Sequence, residues 1–254
     1  MTDRRSTLEM VALTDVGRVR PRNEDSVMVL PGDGWAFLSD GMGGYRGGDV
    51  ASALAVRVLG EQLQGSAALE LDVWQRVDIL RAAVEAANAE IFHAASSRPS
   101  LTGMGATVVA ACFLHGRLIA AHVGDSRLYR YRGGFLMQLT KDHSLFQEQI
   151  DRGVPSGEAA GASVPRGLIT RALGVDPLVE PDLASLPTQP GDVYLLCSDG
   201  LTDMLSDMEI ADALSALDGS LGETGRLMIE LANERGGRDN ISVILVRLGD
   251  QDGI

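Results

Sequence analysis

The sequence has few of the residues that mark secreted, disulfide-rich or membrane proteins. Its two cysteines, Cys112 and Cys197, lie in separate apolar runs, so we predict buried, reduced thiols rather than a disulfide framework. The longest apolar stretches, such as Ala106–Leu114, are too short to cross a bilayer. The N-terminal residues lead into no apolar segment of the kind found in signal peptides. We therefore predict a cytoplasmic protein without membrane insertion.

Positive charge is also scarce. The 254 residues include 22 Lys and Arg against 35 Asp and Glu, which gives a formal net charge of −13, and Lys141 is the only lysine. Because an acidic surface repels a phosphate backbone, this balance argues against a nucleic-acid partner. The surplus of carboxylates leaves room for metal sites. Hydrophobic residues make up 45% of the chain, enough for a sizeable core, and the length suits one layered domain, which we place at residues 1–254.

The spacing of apolar residues predicts the order of the elements. The predicted strands are 8–14, 25–30, 35–38, 106–114, 117–123, 127–132, 135–139, 193–197 and 241–248, and the predicted helices are 49–64, 73–95, 145–151, 207–217 and 221–235. A stretch rich in Gly, Pro, Ser and Ala at 153–167, within a wider segment around 145–175, predicts a flap. Two-residue hairpin connections and paired helices favour an α+β fold, in which two packed antiparallel sheets are flanked by helix pairs.

Acidic residues recur where predicted strands begin or end. The set comprises Glu24, Asp25, Asp40, Asp125, Asp199 and Asp239. Asp40 and Asp199 each stand in a Ser-Asp-Gly tripeptide that follows an apolar strand. Carboxylates gathered at one rim of a sheet repel one another, and a divalent cation relieves that repulsion. Oxygen ligands suit Mg²⁺ or Mn²⁺ rather than zinc. For any single Asp-Gly pair, an ordinary turn is the competing interpretation.

Eight regions of the sequence, in the same order, are similar to the motifs of the metal-dependent type 2C serine/threonine protein phosphatases, and in particular to the bacterial stand-alone branch. They are Thr14–Gly17 with Arg20–Asp25, Ser39–Gly44, Gly103–Thr107, His122–Arg127, Leu139–Ser144, Ile169–Gly174, Leu196–Leu201 and Arg238–Asn240. Each is weak alone, but eight in the family's order are specific. The resemblance implies a four-layer α-β-β-α sandwich and a phosphoric monoester hydrolase.

The resemblance also implies a set of metal ligands. Asp40 would bridge two Mn²⁺ or Mg²⁺ ions, and the backbone carbonyl of Gly41 would bind the second of them. Asp199 and Asp239 would hold the first ion. Asp125, together with Asp199, would form a third and weaker metal site. A water shared by the two core ions would then attack phosphorus directly, so no phospho-enzyme intermediate is expected.

Further roles follow from the same resemblance. Arg20 would clamp the substrate phosphate, since a planar guanidinium matches its oxygens. Glu24 and Asp25 would order metal-bound water. Met42 stands where many eukaryotic members carry a histidine, so protonation of the leaving group needs another source. His143 is one candidate, although a structural role as a hydrogen-bonding loop residue is the simpler interpretation.

The function implied is hydrolysis of phosphoserine and phosphothreonine in proteins by a monomer, with a bacterial Hanks-type protein kinase as the opposing enzyme. Two alternatives stay open. One is a partner-switching phosphatase of the stress-sigma-factor type, which acts on a single phosphorylated antagonist. The other is a pseudophosphatase that binds phosphoproteins without turnover. Loss of Asp40, Asp199 or Asp239 would mark a pseudophosphatase, and all three residues are present.

Overall fold

Two antiparallel β-sheets packed face to face form the centre of the protein in the computed structural model, which describes residues 8–43, 47–114, 116–153, 167–216 and 220–249. The strands are β1 Leu8–Asp15, β2 Asp25–Leu30, β3 Trp35–Met42, β4 Gly105–Ala106, β5 Val108–Leu114, β6 Arg117–Val123, β7 Arg127–Arg132, β8 Phe135–Gln138, β9 Asp182–Pro187, β10 Val193–Cys197 and β11 Ile241–Leu248. The helices are α1 Gly48–Leu63, α2 Val73–Ser97, α3 Leu145–Asp151, α4 Asp199–Thr202, α5 Asp207–Ser215 and α6 Leu221–Glu234. These elements confirm the α+β class.

The strand order places two distant segments of the chain side by side. The first sheet runs β1-β11-β10-β7-β8, and the second runs β2-β3-β5-β6-β9 with β4 paired to β3. β1 and β11 pair along their whole length, from Leu8 opposite Leu248 to Asp15 opposite Ile241. Residues 16–24, which follow β1, therefore lie next to residues 235–240, which precede β11.

Three apolar cores separate four layers. α1 and α2 pack on the second sheet against Trp35 and Phe37, whereas α5 and α6 pack on the first sheet against residues such as Tyr129. Ala36 and Leu38 belong to the third core, between the two sheets. Since successive side chains of a strand point to opposite faces, β3 contributes to the outer and the inner core in turn. The four-layer α-β-β-α arrangement is thereby confirmed.

The structure differs from the predicted elements in a few places. β9 was missed, because Asp182, Ser185 and Pro187 are turn-associated residues and this half-buried edge strand is held by backbone pairing with β6. β3 continues beyond Leu38 because Gly41 and Met42 pair with β4. Short α4 was also missed. The centre of the predicted flap, 154–166, and Gly44 lie outside the described residues. No described helix is long and apolar enough to cross a membrane.

Candidate metal centre

Asp25 and Asp40 lie opposite each other on neighbouring strands. The pairing of β2 with β3 sets the Cα of Asp25 against that of Asp40. Thr107 fixes the other side of Asp40: its Oγ1 accepts the Asp40 N–H at 3.0 Å, and its own N–H donates to the Asp40 carbonyl oxygen at 2.8 Å. Strand pairing thus brings two carboxyl groups together and holds both backbones.

The second Ser-Asp-Gly tripeptide brings Asp199 to the same place from the other sheet. Ser198 follows β10, and its Oγ donates to Asp25 Oδ2 at 2.9 Å. Asp199 then begins α4. A Cβ atom at position 200 would lie 1.9 Å from the carbonyl oxygen of Asn240, so only glycine lets α4 approach the segment that carries Asp239. The serine connects the two sheets, and the glycine sets Asp199 beside Asp239.

The acidic centre (Asp25, Asp40, Asp125, Asp199 and Asp239) holds carboxyl groups that repel one another. Burial raises the pKa of Asp40 well above its ordinary value, and the charges of Asp25 and Asp199 raise it further. Burial likewise raises the pKa of Asp199, with added repulsion from Asp125 and Asp239. Burial is also the main reason why the pKa values of Asp25 and Asp125 rise to about 6. Clustered charges in such surroundings favour the protonated form unless a cation compensates them.

Glu24 and Gly41 face one small space at the start of α1. Gly41 N–H donates to the Glu24 carbonyl oxygen at 3.1 Å. A Cβ atom at Gly48 would lie 2.6 Å from both Glu24 Oε2 and the Gly41 carbonyl oxygen. The missing side chain of Gly48 therefore leaves room in which a carboxylate and a backbone carbonyl converge next to Asp40. The structure brings both predicted groups, the Glu24 side chain and the Gly41 carbonyl, to this space.

Asp125 is buried in the turn between β6 and β7. His143 holds this turn at two points: the Gly124 N–H donates to His143 Nδ1 at 3.1 Å, and the His143 N–H donates to the Gly124 carbonyl oxygen at 2.9 Å. On the far side of Asp125, Ser126 Oγ lies 2.7 Å from Thr107 Oγ1. Because Thr107 also binds the Asp40 backbone, it links the positions of the two aspartates.

Asn240 holds the segment 16–24 against the acidic centre. Its Oδ1 accepts the Glu24 N–H at 2.8 Å, and its Nδ2 donates to the carbonyl oxygens of Val16 at 2.9 Å and Arg22 at 2.8 Å. Arg20 extends from this segment, and its Nη2 donates to Asp239 Oδ2 at 2.6 Å. No role for Asn240 was predicted; the only sequence signal is its place directly after Asp239 in the Arg-Asp-Asn motif.

Two buried carboxylate oxygens of the acidic centre, Asp25 Oδ1 and Asp199 Oδ1, have no hydrogen-bond partner among the described residues. A buried charged oxygen without a partner is costly, and cation coordination is a usual way to satisfy it. The side chains of the centre offer only oxygen atoms, which are ligands preferred by Mg²⁺ and Mn²⁺. The residues present therefore fit the divalent cations that the sequence predicts.

A second group of potential ligands, the histidine cluster (His122, His143 and Asp182), was not predicted. One ligand atom from each residue lies within 4.8 Å of the others. In this cluster the chain itself supplies the positive charge, since the Arg171 guanidinium donates from Nη1 to Asp182 Oδ1 at 2.6 Å. Burial, and then the charges of His122 and Arg171, lower the pKa of His143 to about 4. A neutral ring whose Nδ1 accepts from Gly124 and whose Nε2 faces Asp182 favours the structural role of His143 over proton donation.

The chain is similar to known phosphatases over most of its length. Residues 19–234 match the family described as Protein phosphatase 2C. The chain is 41% identical to the serine/threonine phosphatase stp of Listeria welshimeri over 240 residues, which cover 92% of this chain and 93% of that protein. The crystal structure of the Mycobacterium tuberculosis serine/threonine phosphatase PstP/Ppp superimposes with a TM-score of 0.86 at 40% identity, covering 96% of this chain and 99% of that one.

A second structure, of the PstP catalytic domain in complex with two manganese ions, superimposes with a TM-score of 0.84 at 39% identity over 96% of this chain and 99% of that one. Both structures thus cover 96% of this chain. Together with the confirmed four-layer fold, they establish the family, and the chain belongs to the protein phosphatase 2C family.

Proposed function

We propose that this chain, a serine/threonine protein phosphatase of the 2C type, hydrolyses phosphoserine and phosphothreonine in proteins with two divalent cations held in the acidic centre. Asp40 would contact both ions, the carbonyl of Gly41 the second, and Asp199 and Asp239 the first. Asp125, with Asp199, would hold a third and weaker ion. Bound Mn²⁺ or Mg²⁺ would supply a more acidic water as nucleophile and positive charge for the phosphate oxygens.

The observation that carries this proposal is the pair of unpartnered carboxylate oxygens, Asp25 Oδ1 and Asp199 Oδ1. They lie among carboxyl groups whose pKa values are raised by burial and mutual repulsion. Buried carboxylates that repel one another destabilise the folded protein, and bound cations offset that repulsion. The similarity to a PstP structure with two manganese ions supports the same number of core ions here.

Three side chains would bind and orient the reactants. The Arg20 side chain is 52% exposed at the mouth of the centre, so its guanidinium can pair with the phosphate oxygens while it stays beside Asp239. Glu24 would accept hydrogen bonds from water in the space next to Gly41. Asp25 accepts a hydrogen bond from the Ser198 hydroxyl through Oδ2, and its other oxygen, Oδ1, would orient water near Asp40.

The cellular setting is part of the proposal. Cys112 and Cys197 are both free and buried, which supports the cytoplasm as the compartment. We infer one catalytic domain over residues 1–254, because three apolar cores join its four layers, and we propose that it acts as a monomer. Its substrates must come from a protein kinase reaction, since serine and threonine phosphoesters form by phosphoryl transfer; a Hanks-type kinase is the opposing enzyme we propose.

Chelation tests the proposal. Release of phosphate from a phosphothreonine peptide would be measured in EDTA, after dialysis, and after addition of Mn²⁺ or Mg²⁺. We expect turnover to disappear with EDTA and to return with the cation. Turnover that survives chelation would contradict the metal mechanism. Binding of the peptide without turnover at saturating Mn²⁺ would indicate the pseudophosphatase, and turnover of one antagonist protein alone would indicate the partner-switching type.

A further inference from the structure

Three exposed arginines flank the acidic centre and are not neutralised by neighbouring side chains. The arginine rim consists of Arg18 and Arg22, on the segment 16–24, and Arg238, directly before Asp239. Within the part of the chain that the structure describes, none of the three forms an ion pair or a side-chain hydrogen bond. Elsewhere most exposed or half-buried arginines are paired, as Arg57 is with Glu61 and Arg235 with Glu209.

The fold brings the arginine rim together from opposite ends of the chain. The Arg18 N–H donates to the Gly237 carbonyl oxygen at 2.7 Å. A Cβ atom at Gly237 would lie 3.0 Å from Arg18 Cγ, and one at Gly236 would lie 3.8 Å from Arg238 Cγ. The aliphatic stems of Arg18 and Arg238 therefore lie beside the same pair of glycines, and the Asn233 side chain also approaches Gly237 there.

The backbone of Arg22 is held by Asn240, which directly follows Arg238 and Asp239 in the chain. The Arg22 carbonyl oxygen accepts from Asn240 Nδ2 at 2.8 Å, so the backbone of the segment cannot move freely. Burial raises the pKa of Glu24, and the charges of Arg20 and Arg22 oppose that rise. Arg22 is thus close enough to Glu24 for its positive charge to act on the Glu24 carboxylate.

This concentration of positive charge is unusual on a chain with a net charge of −13. Most of such a surface repels anions, whereas the arginine rim attracts them toward one place. A guanidinium pairs well with carboxylates, and an exposed arginine without a partner keeps that capacity. The rim adjoins Arg20: Arg18 and Arg22 each stand two residues from it in the sequence, and Arg238 directly precedes Asp239, which Arg20 contacts. A peptide whose phosphate pairs with Arg20 would therefore place its flanking residues near the rim.

We propose that the arginine rim binds carboxylate side chains flanking the phosphorylated residue, so that the enzyme favours acidic phosphoprotein segments. This inference rests on the proposed function. Each exposed arginine-carboxylate pair is expected to contribute about a twofold to fivefold change in kcat/KM. The preference falls as salt rises, because such exposed charges are screened over about 10 Å at 0.1 M ionic strength.

Two phosphothreonine peptides that differ only in their flanking residues, three glutamates in one and three glutamines in the other, test the inference. With Mn²⁺ and low salt, we expect the wild-type enzyme to hydrolyse the glutamate peptide about tenfold more efficiently. The preference should disappear in the triple variant Arg18→Gln, Arg22→Gln, Arg238→Gln. The matched control is Arg81→Gln, Arg98→Gln, Arg226→Gln, which removes three exposed arginines outside the rim and should keep the preference.

Equal hydrolysis of the two peptides by the wild-type enzyme would overturn the inference, as would an equal loss of preference in the control triple variant. Failure to hydrolyse even the glutamine peptide would count against the proposed function instead. In that event, fluorescence anisotropy of the labelled peptides bound to the Mn²⁺-treated protein measures the same preference without turnover. Stronger binding of the glutamate peptide, lost in the rim variant alone, would then support the inference, and equal binding would refute it.

Discussion

The acidic centre and the histidine cluster both gather carboxylates with other potential metal ligands, but they differ in how charge is compensated. In the histidine cluster, Arg171 donates to Asp182 Oδ1 at 2.6 Å and the two histidine rings stack 4.6 Å apart. In the acidic centre, Asp25 Oδ1 and Asp199 Oδ1 have no partner among the described residues. The first group is satisfied by the chain itself, whereas the unpartnered oxygens of the second favour binding of a cation from solution.

This difference shows what separates a structural polar cluster from a binding site. The distance between potential ligands alone would favour the histidine cluster, whose ligand atoms lie within 4.8 Å of one another. The unpaired charge favours the acidic centre. Because an unsatisfied buried charge costs more than a satisfied one contributes, the missing partner is the better indicator of a ligand.

Removal of one carboxylate from each group should give the largest difference in activity between the acidic centre and the histidine cluster. Asp40→Asn takes away a charged ligand that would contact both core ions, so we expect kcat to fall about 1,000-fold, as lost electrostatic stabilisation of several kcal/mol predicts. Asp182→Asn should keep activity within about threefold. Phosphopeptide kinetics and calorimetric titration with Mn²⁺ measure both effects. Similar losses in the two variants would mean that the histidine cluster takes part in catalysis.

Asp125→Ala should have an intermediate effect. Its loss weakens the third metal site and leaves the ligands of the two core ions in place, so we expect kcat to fall about tenfold. Metal analysis after gel filtration should still find two ions per chain. Asp151→Ala is the matched control, since Asp151 is a half-exposed carboxylate paired with Lys141, and it should change neither quantity. A variant of Asp125 that loses all its metal would show that Asp125 is a ligand of the core ions.

The smallest effect concerns pH. Folding raises the pKa values of Asp25 and Asp125 to about 6, so the metal-free protein loses stability as pH rises from the unfolded value, near 4, through 6. The effect of His143 on stability has the opposite sign. Folding lowers its pKa to about 4, so its contribution to the stability of the folded protein is lost as pH falls below about 6.5. Because His143 contributes equally to the Mn²⁺-loaded and the EDTA-treated protein at a given pH, the difference in Tm between the two removes its contribution.

That difference in Tm should increase by about 5 °C between pH 5 and pH 8, because the carboxyl groups must lose their protons before they bind metal. Thermal unfolding at several pH values, with EDTA or Mn²⁺, measures it. The variant Asp182→Asn should show the same increase. A difference that stays constant with pH would mean that the acidic centre is already ionised in the metal-free protein.

Most of the fold could be predicted because local patterns and tertiary structure agree. β6, β7, β10 and β11 begin and end where alternation and turn residues indicated. β9 could not be predicted, since its residues resemble a loop and its strand conformation depends on pairing with β6. The residues of the acidic centre were predicted together from strand ends and motifs. Asn240 and Thr107 were not assigned, because their roles lie in contacts with backbone far away in the sequence.

The sequence by itself determined the element types, the four-layer class and the identity of the acidic residues, because side-chain periodicity and motif order are local properties. The tertiary structure alone decided which carboxylates lack a partner, which arginines stand unpaired and how Asn240 holds the segment that carries Arg20. Those facts depend on the pairing of β1 with β11 and on the packing of two sheets. Charge compensation depends on distance in space, and separation along the chain does not reveal it.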